Sequence, residues 1–266
     1  MISHEHKFAF ATLTMEDSVP GVVALYKSLK FNKSNYPLVC LYSELSEHSI
    51  KKLSDLGVRL KKVSNIYNPY KDKYGRFKTV FNKLYCWSLV EYEQIIYLDS
   101  DILNLKNIDH LFKKPLLLGE LCACYASDFY QEEREAWCIK KGRKYGRIIH
   151  KAAPSFRWNS GFMLLRPCEK QFNSMVDQVG KLSSHDGTDQ GFLVSYFSNN
   201  VTILPEEYNY SVWNFDNRVG GKERFEKQKD SLFNLHYLGG KVGWGKDTWG
   251  FKYLNEFWRT YYNLEL

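Results

Sequence analysis

Apolar runs alternate with segments of helical periodicity through the first hundred residues, and this alternation limits the folds open to the chain. Strands are predicted for residues 8–13, 37–42, 59–63 and 94–98. Helices are predicted between them for residues 19–29, 46–56 and 79–90. Strands that are joined through helices form parallel sheets covered on both faces. The sequence therefore favours an α/β fold with a Rossmann-like, mostly parallel central sheet flanked by helices.

The chain is predicted to form a single domain over residues 1–266. Hydrophobic residues make up 44% of it, which is enough to bury a large core. No Pro-, Gly- or Ser-rich stretch offers a linker to a second domain. Within the domain, residues 131–156 are interpreted as an insertion or an acceptor-site loop, and residues 250–266 as a C-terminal helix.

Several features bear on location and partners. The first residues lack the apolar stretch of a signal peptide, and no apolar run reaches the roughly 18 residues of a membrane span. The six cysteines are scattered without metal-type pairing, so we expect reduced thiols in a cytoplasmic protein without a membrane span. Association into a homodimer is left open.

The net charge of +7 is concentrated in a basic run over residues 140–151. The simpler interpretation is that this run forms a solvated helix face. The functional interpretation is a surface patch that attracts acidic substrates. The chain contains no nucleic-acid recognition module, so nucleic acid is not expected as a partner.

The strand predicted at residues 94–98 ends in two carboxylates separated by one residue, Asp99 and Asp101. Residues i and i+2 of an extended chain face the same side, so both carboxylates are expected to converge on one point. Like charges held together are costly unless a cation neutralises them. Oxygen ligands suit Mg²⁺ or Mn²⁺, which often bind substrate phosphates as well. A solvated acidic loop is the alternative interpretation.

His236 follows an apolar stretch near the C-terminus and is a candidate third ligand beside the aspartate pair. As a lone histidine near a strand end it is otherwise a structural residue. The segment Gly239, Gly240 and Lys241 would suit phosphate through backbone N–H groups and an ammonium. Neither of the common glycine-rich nucleotide loops is present.

Six short motifs occur in order along residues 8–244, namely ATLT (11–14), NKLYCW (82–87), YLDSD (97–101), WNSGF (158–162), DGTDQG (186–191) and HYLG (236–239). With them the chain resembles glycosyltransferase family 8, the retaining enzymes that include glycogenin, bacterial lipopolysaccharide galactosyltransferases and galactinol synthases. The resemblance implies a GT-A fold, a UDP-sugar donor, retention of anomeric configuration, and Mn²⁺ with Mg²⁺ as the alternative.

The resemblance also implies roles for individual residues. The metal ligands are then Asp99, Asp101 and His236. The catalytic candidates are Asp186, Asp189 and Gln190. The predicted sugar-donor contacts are Leu13, Thr14, Met15, Val19, Lys83, Ser100, Asp128, Asn159, Ser160, Gly239 and Lys241.

This sequence departs from the family pattern at three positions. Val19 stands where the family often has an aromatic residue that stacks on uracil. Glu16 stands where glycogenin has an asparagine. Lys241 lies one residue closer to His236 than the corresponding lysine of glycogenin.

The implied reaction moves a hexose, glucose or galactose, from the UDP-sugar to an acceptor that is a glycan or a protein. Retention requires either a covalent intermediate, with Asp189 as nucleophile, or same-face attack, with Gln190 as stabiliser. One alternative is a glycogenin-like self-glucosylating protein, although Asp216 stands where glycogenin has its acceptor tyrosine. A further alternative is an inactive carbohydrate-binding protein on the same fold.

Overall fold

The computed structural model describes residues 7–70, 78–124, 158–197, 200–216, 220–238, 243–244 and 251–265. Its centre is a seven-stranded sheet in the order β3-β2-β1-β4-β7-β6-β8. The strands are β1 (Phe8–Leu13), β2 (Leu38–Tyr42), β3 (Arg59–Lys62), β4 (Gln94–Leu98), β6 (Leu121–Cys124), β7 (Asn159–Leu165) and β8 (Val201–Leu204). The α/β class predicted from the alternation is confirmed.

Most neighbouring strands of this sheet run parallel, and one strand is reversed. β1 pairs in parallel with β2 and β4, and β6 pairs in parallel with β8. β7 instead runs antiparallel to both β4 and β6. The reversal brings the start of β7 beside the end of β4, where the two aspartates lie.

A second, three-stranded sheet has the order β5-β10-β9. Its strands are β5 (Ile102–Asn104), β9 (Tyr210–Ser211) and β10 (Asn234–His236). β5 begins three residues after Asp99, and β10 pairs with it antiparallel so that His236 lies opposite Ile102. This short sheet therefore carries the histidine to the aspartate turn.

The described residues contain six α-helices, and local sequence explains several of their ends. They are α1 (Val19–Phe31), α2 (Glu47–Asp55), α3 (Glu169–Gln178), α4 (Asp189–Tyr196), α5 (Gly221–Gln228) and α6 (Lys252–Tyr262). Ser46 caps α2 by accepting a hydrogen bond from the N–H of Ser49. Gly57, with φ +92°, follows the helix as predicted.

One predicted helix differs from the structure. The segment predicted as a helix over residues 79–90 is a 3₁₀ helix over Val80–Ser88. It buries Lys83, whose ammonium donates to the hydroxyl of Ser160 at the beginning of β7.

The core lies on both faces of the large sheet. Trp87 and Tyr97 pack on one face, and Phe10, Leu25 and Phe162 pack on the other. The five cysteines in the described part of the chain are free, and four of them are buried. None of the helices described here is long and apolar enough to cross a membrane. The predicted insertion at residues 131–156 lies outside the described residues.

Candidate active site

The site is built on a tight turn that directly follows β4. The N–H of Asp99 donates to the carbonyl of Gly161 on the reversed strand, at 2.8 Å, and the N–H of Ile102 donates back to the carbonyl of Asp99, at 3.0 Å. The turn also abuts α1, since a β-carbon at Gly21 would lie 2.2 Å from the carbonyl oxygen of Ser100. These contacts hold the turn in place between β7 and α1.

His236 meets the two aspartates at this turn. Its Nε2 atom lies 2.9 Å from Oδ1 of Asp101 and 3.9 Å from Oδ2 of Asp99. The N–H of Tyr237 donates to the carbonyl of Asp101 at 2.8 Å, which fixes the strand carrying the histidine. One ligand atom from each of the three side chains lies within 4.8 Å of the other two. The predicted convergence is present in the structure.

This triad fits a divalent cation. Two carboxylates and an imidazole are ligands that Mn²⁺ accepts, and Mg²⁺ also binds carboxylates. The carboxylates of Asp99 and Asp101 are 29% and 23% exposed, whereas His236 is 1% exposed, so the group opens on one side. At its base a β-carbon on Gly161 would lie 2.3 Å from Cε1 of His236. Only glycine leaves room there for the imidazole.

Lys83 is a buried ammonium that joins the triad to α4. Its Nζ atom lies 3.1 Å from Oδ1 of Asp99, 2.9 Å from Oδ2 of Asp189 and 3.0 Å from Oγ of Ser160. The ring of Tyr97 lies beneath it at 4.9 Å. Burial disfavours the charged form, yet the carboxylates of Asp189 and Asp99 raise the pKa of Lys83. The lysine is therefore a fixed positive charge in the site.

The two carboxylates that contact Lys83 differ in their ionisation. Burial raises the pKa of Asp189 despite the ammonium beside it. For Asp99 burial acts in the same direction, but Lys83 and His236 outweigh it and lower the pKa. Asp99, which belongs to the triad, is thus the more strongly ionised of the two.

Amide side chains connect the catalytic candidates on α4 to β7. Oε1 of Gln190 accepts hydrogen bonds from Nδ2 of Asn159 at 3.0 Å and from the N–H of Ser160 at 3.2 Å. Nε2 of Gln190 donates to Oδ2 of Asp186 at 3.3 Å. The hydroxyl of Ser160 donates to Oδ2 of Asp189 at 3.0 Å, so Asn159, Ser160, Asp186, Asp189 and Gln190 form one network. Their catalytic and sugar-binding roles stay predictions.

Asp186 has a structural as well as a positional role. Its Oδ1 atom accepts hydrogen bonds from Oγ of Ser184, from the N–H and the hydroxyl of Thr188, and from the N–H of Gly191. Burial opposes ionisation, but the hydrogen bonds from Thr188 and Ser184 and the nearby His185 outweigh it and lower the pKa of Asp186. Asp186 therefore stabilises the beginning of α4 as an anion.

Asn209 belongs to the site although the sequence analysis did not select it. Its side chain is 1% exposed and lies between Asn159 and Nδ1 of His236, at 2.9 and 2.8 Å. An asparagine in a loop before a short strand carries no pattern of its own.

The sequence as a whole decides the family. The family model for glycosyl transferase family 8 matches residues 6–248. The chain belongs to glycosyl transferase family 8. The resemblance inferred from the six motifs is confirmed, and with it the assignment to glycosyltransferases at the level of the family.

Two relatives from Arabidopsis thaliana are named as a glucuronosyltransferase and a galactinol synthase. Inositol phosphorylceramide glucuronosyltransferase 1 is 32% identical over 197 residues, which are 73% of this chain and 31% of that protein. Galactinol synthase 2 is 29% identical over 205 residues, which are 73% of this chain and 61% of that protein. The chain thus spans about a third of the glucuronosyltransferase and under two thirds of the galactinol synthase.

Solved structures of glycosyltransferases have the same fold. The galactosyltransferase LgtC, determined with donor and acceptor sugar analogues, superposes with a TM-score of 0.66 at 16% identity and covers 96% of this chain and 95% of its own. The bifunctional glycosyltransferase WbbM superposes with a TM-score of 0.69 at 16% identity, over 97% of this chain and 50% of its own. The GT-A fold predicted for this family 8 member is confirmed.

The other predicted sugar-donor residues that the structure describes lie after β1, at the start of α1 and in the turn after β4. Leu13 is half-buried, Thr14 is buried with its hydroxyl bonded to the carbonyl of Met15, and Met15 is 44% exposed. Val19 is buried in the core at the start of α1. Ser100 is half-buried between the two aspartates. Their contacts with a nucleotide remain predictions.

Glu16, the second departure from the family pattern, has a structural partner. Its carboxylate accepts hydrogen bonds from the N–H and hydroxyl of Ser46 and from the hydroxyl of Ser49. It thereby ties the loop after β1 to the beginning of α2. The predicted contacts of Asp128, Gly239 and Lys241 fall on residues outside those that the structure describes.

Proposed function

We propose that this family 8 member transfers a hexose from a UDP-sugar to an acceptor, with retention of anomeric configuration and with a divalent cation, preferably Mn²⁺. The observation that carries the proposal is the approach of Asp99, Asp101 and His236 to within 4.8 Å at the end of β4. In open α/β sheets, substrates bind beyond the carboxyl ends of the strands. The triad lies at that edge.

The three side chains would hold the cation, which when bound neutralises the negative charge that develops on the leaving diphosphate. Lys83 supplies a second, permanent positive charge, because it is buried and paired with Asp99 and Asp189. Its role is to keep Asp99 ionised and oriented toward the open side of the triad. A protein of this fold that lacked the triad would instead be a candidate for sugar binding without transfer.

Retention of anomeric configuration requires a contribution from Asp189 or from Gln190, which are neighbours at the beginning of α4. Both N–H donors that reach Oε1 of Gln190, from Asn159 and Ser160, occupy the acceptor positions of that oxygen. Its use as a stabiliser of an oxocarbenium ion would require breaking those bonds. Lys83 and Ser160 both contact Oδ2 of Asp189. Both side chains are thus held by hydrogen bonds, and these contacts favour neither route. In one, Asp189 attacks the anomeric carbon while the bond to the diphosphate breaks, and the acceptor hydroxyl then displaces Asp189. In the other, Gln190 stabilises the oxocarbenium ion while the acceptor attacks from the face that the diphosphate leaves.

The experiment is a panel of sugar donors. UDP-glucose and UDP-galactose follow from the resemblance, and UDP-glucuronate follows from the names of the relatives. Release of UDP is measured for each with Mn²⁺, and the anomer of the product is read by NMR. Release from UDP-glucose or UDP-galactose, with an α-linked product from the α-linked donor, supports the proposal. Release from UDP-glucuronate alone would keep the reaction and replace the hexose by a uronic acid. Absence of UDP release from every nucleotide-sugar tested, with any divalent cation, would refute it.

A further inference from the structure

Asn209 is a buried amide that joins the cation triad to the amide network on α4. It follows a 3₁₀ helix, Glu206–Tyr208, and its N–H donates to the carbonyl of Glu206 at 2.8 Å. Its side chain reaches Asn159 on one side and His236 on the other. Because it is 1% exposed, water does not compete for either contact.

The direction of these hydrogen bonds is fixed by the backbone. The N–H of Gly161 can only donate, and it lies 2.8 Å from one side-chain atom of Asn159. That atom must be the carbonyl oxygen, Oδ1. The amide group of Asn209 that contacts the same oxygen at 2.9 Å must then be its NH₂ group. The carbonyl oxygen of Asn209 is consequently turned toward His236.

A second backbone donor gives the same orientation. The N–H of Ser160 lies 3.2 Å from Oε1 of Gln190, which makes that atom the acceptor. Nδ2 of Asn159 donates to the same oxygen at 3.0 Å. Asn159 therefore presents its nitrogen to Gln190 and its oxygen to Asn209, in agreement with the contact to Gly161.

An oxygen of Asn209 that lies 2.8 Å from Nδ1 of His236 requires a proton on Nδ1. Two lone pairs at that distance would repel. With the proton on Nδ1, the other ring nitrogen, Nε2, is the one that faces Asp101 at 2.9 Å and Asp99 at 3.9 Å. By the same argument, Nε2 shares a proton with the carboxylate of Asp101 while no cation is bound. A cation held between the carboxylates would take the place of that proton, because Asn209 keeps the Nδ1 proton in place and leaves Nε2 as the ligand nitrogen.

We propose that Asn209 is a positioning residue: it holds the proton of His236 on Nδ1 and so presents Nε2 as the nitrogen ligand of the triad. Without Asn209, the carboxylate of Asp101 is the one acceptor left of these two, so the neutral ring would keep its proton on Nε2 and its lone pair would point away from the site. Gly161 and Asn159 set the orientation of Asn209 itself. The inference rests on the proposed function for its use, but the position of the proton can be measured independently.

The first measurement is the protonation of Nδ1 in the metal-free protein. Long-range ¹H–¹⁵N correlation spectra, recorded in alkaline buffer, distinguish a protonated ring nitrogen from an unprotonated one. We expect a protonated Nδ1 for His236 in the wild type. In Asn209→Ala we expect the proton on Nε2. Asn209→Asp restores an acceptor at the same place, so Nδ1 should be protonated again.

The second measurement is the affinity for Mn²⁺, from the electron paramagnetic resonance signal of the free ion. Asn209→Ala should bind Mn²⁺ about 10–100-fold more weakly than the wild type, as is usual when a second contact of a metal-binding histidine is lost. Asn209→Asp should stay closer to the wild type than to Asn209→Ala. The control is Asn234→Ala, which removes another fully buried amide from the same strand as His236, bonded instead to Asn104 and Tyr208. Its affinity should not change.

An unprotonated Nδ1 in the wild type overturns the inference without any variant. A folded Asn209→Ala protein that keeps both the Nδ1 proton and the wild-type affinity overturns it as well. If Asn209→Ala does not fold, the wild-type and Asn209→Asp spectra decide the question. If the wild type binds no Mn²⁺, the metal in the proposed function is refuted, and the inference on Asn209 stands or falls on the proton alone.

Discussion

Gly161 lies against His236 so closely that a β-carbon at position 161 would be 2.3 Å from Cε1 of the imidazole and 2.9 Å from Oδ2 of Asp99. Gly161→Ala must therefore displace the histidine, the aspartate or β7. We expect loss of Mn²⁺ binding by at least tenfold, because a ligand shift of this size disrupts the coordination geometry. Titration of Mn²⁺ against the purified variant measures it.

The matched control for this change is Gly220→Ala. Gly220 has φ +74°, so alanine there costs about 1 kcal/mol in backbone strain, but its β-carbon would meet no atom within 4 Å. It should lower stability and leave Mn²⁺ affinity unchanged. Equal affinities for Gly161→Ala and the wild type would contradict the geometry described for the triad.

Lys83 is predicted to be essential for stability as well as activity. Lys83→Met leaves Asp189 without its buried ammonium, and removing one partner of a buried ion pair typically costs about 3–5 kcal/mol. Urea unfolding measures this loss. Combining Lys83→Met with Asp189→Asn should recover part of the stability and none of the activity. Lys51→Met, which breaks an exposed pair with Asp55, is the control and should unfold like the wild type.

Asp186 gives a pH dependence of known sign. Its pKa is lowered in the folded protein, so its hydrogen bonds stabilise the native state above the ordinary pKa of about 3.9 and are lost as the pH falls through the lowered value. Asp186→Asn should cost about 1–2 kcal/mol at neutral pH. The difference in melting temperature between the two proteins should shrink below about pH 4. A difference that is constant from pH 7 to pH 3 would exclude an ionised Asp186 as its cause.

Tyr208, which lies near the glycogenin acceptor position, is a poor acceptor in this structure. Tyr208 is 9% exposed, its hydroxyl lies 2.7 Å from Nε2 of His110, and its ring stacks on Phe233. Asp216, at the position of the glycogenin tyrosine, is buried. We therefore predict transfer to a separate acceptor. Intact-mass spectrometry after incubation with UDP-glucose and Mn²⁺ should show an unchanged mass, and serial hexose increments on a tyrosine peptide would show that prediction to be wrong.

The sheet was largely predictable because strands such as β4 are short apolar runs, which differ from the helical periodicity of the segments between them. The reversal of β7 was not, since strand direction follows from the connection, and the connection carries no directional signal. The 3₁₀ form of Val80–Ser88 was also missed. There the buried contacts of Lys83 outweigh the preference for a regular helix.

The residues of the site also differ in how far the sequence alone predicts them. Asp99 and Asp101 were predicted to converge as residues i and i+2 of an extended chain. They converge in the structure, but within the tight turn after β4, which is closed by the hydrogen bond from Ile102 to Asp99. His236 required the family motif, since the pairing of β5 with β10 that brings it near spans more than a hundred residues. Asn209 acts only through its two partners, so neither its residue type nor its spacing marks it.

The most direct test of the proposed function is the metal dependence of UDP release from the preferred sugar donor. We predict that the wild type is active with Mn²⁺ and inactive in excess chelator. We also predict that Asp101→Asn, which keeps the size of the side chain but removes its charge, lowers the rate by orders of magnitude at saturating donor. Full activity of the wild type in chelator, or of Asp101→Asn in Mn²⁺, would contradict the assignment of Asp99, Asp101 and His236 as the metal site of this enzyme.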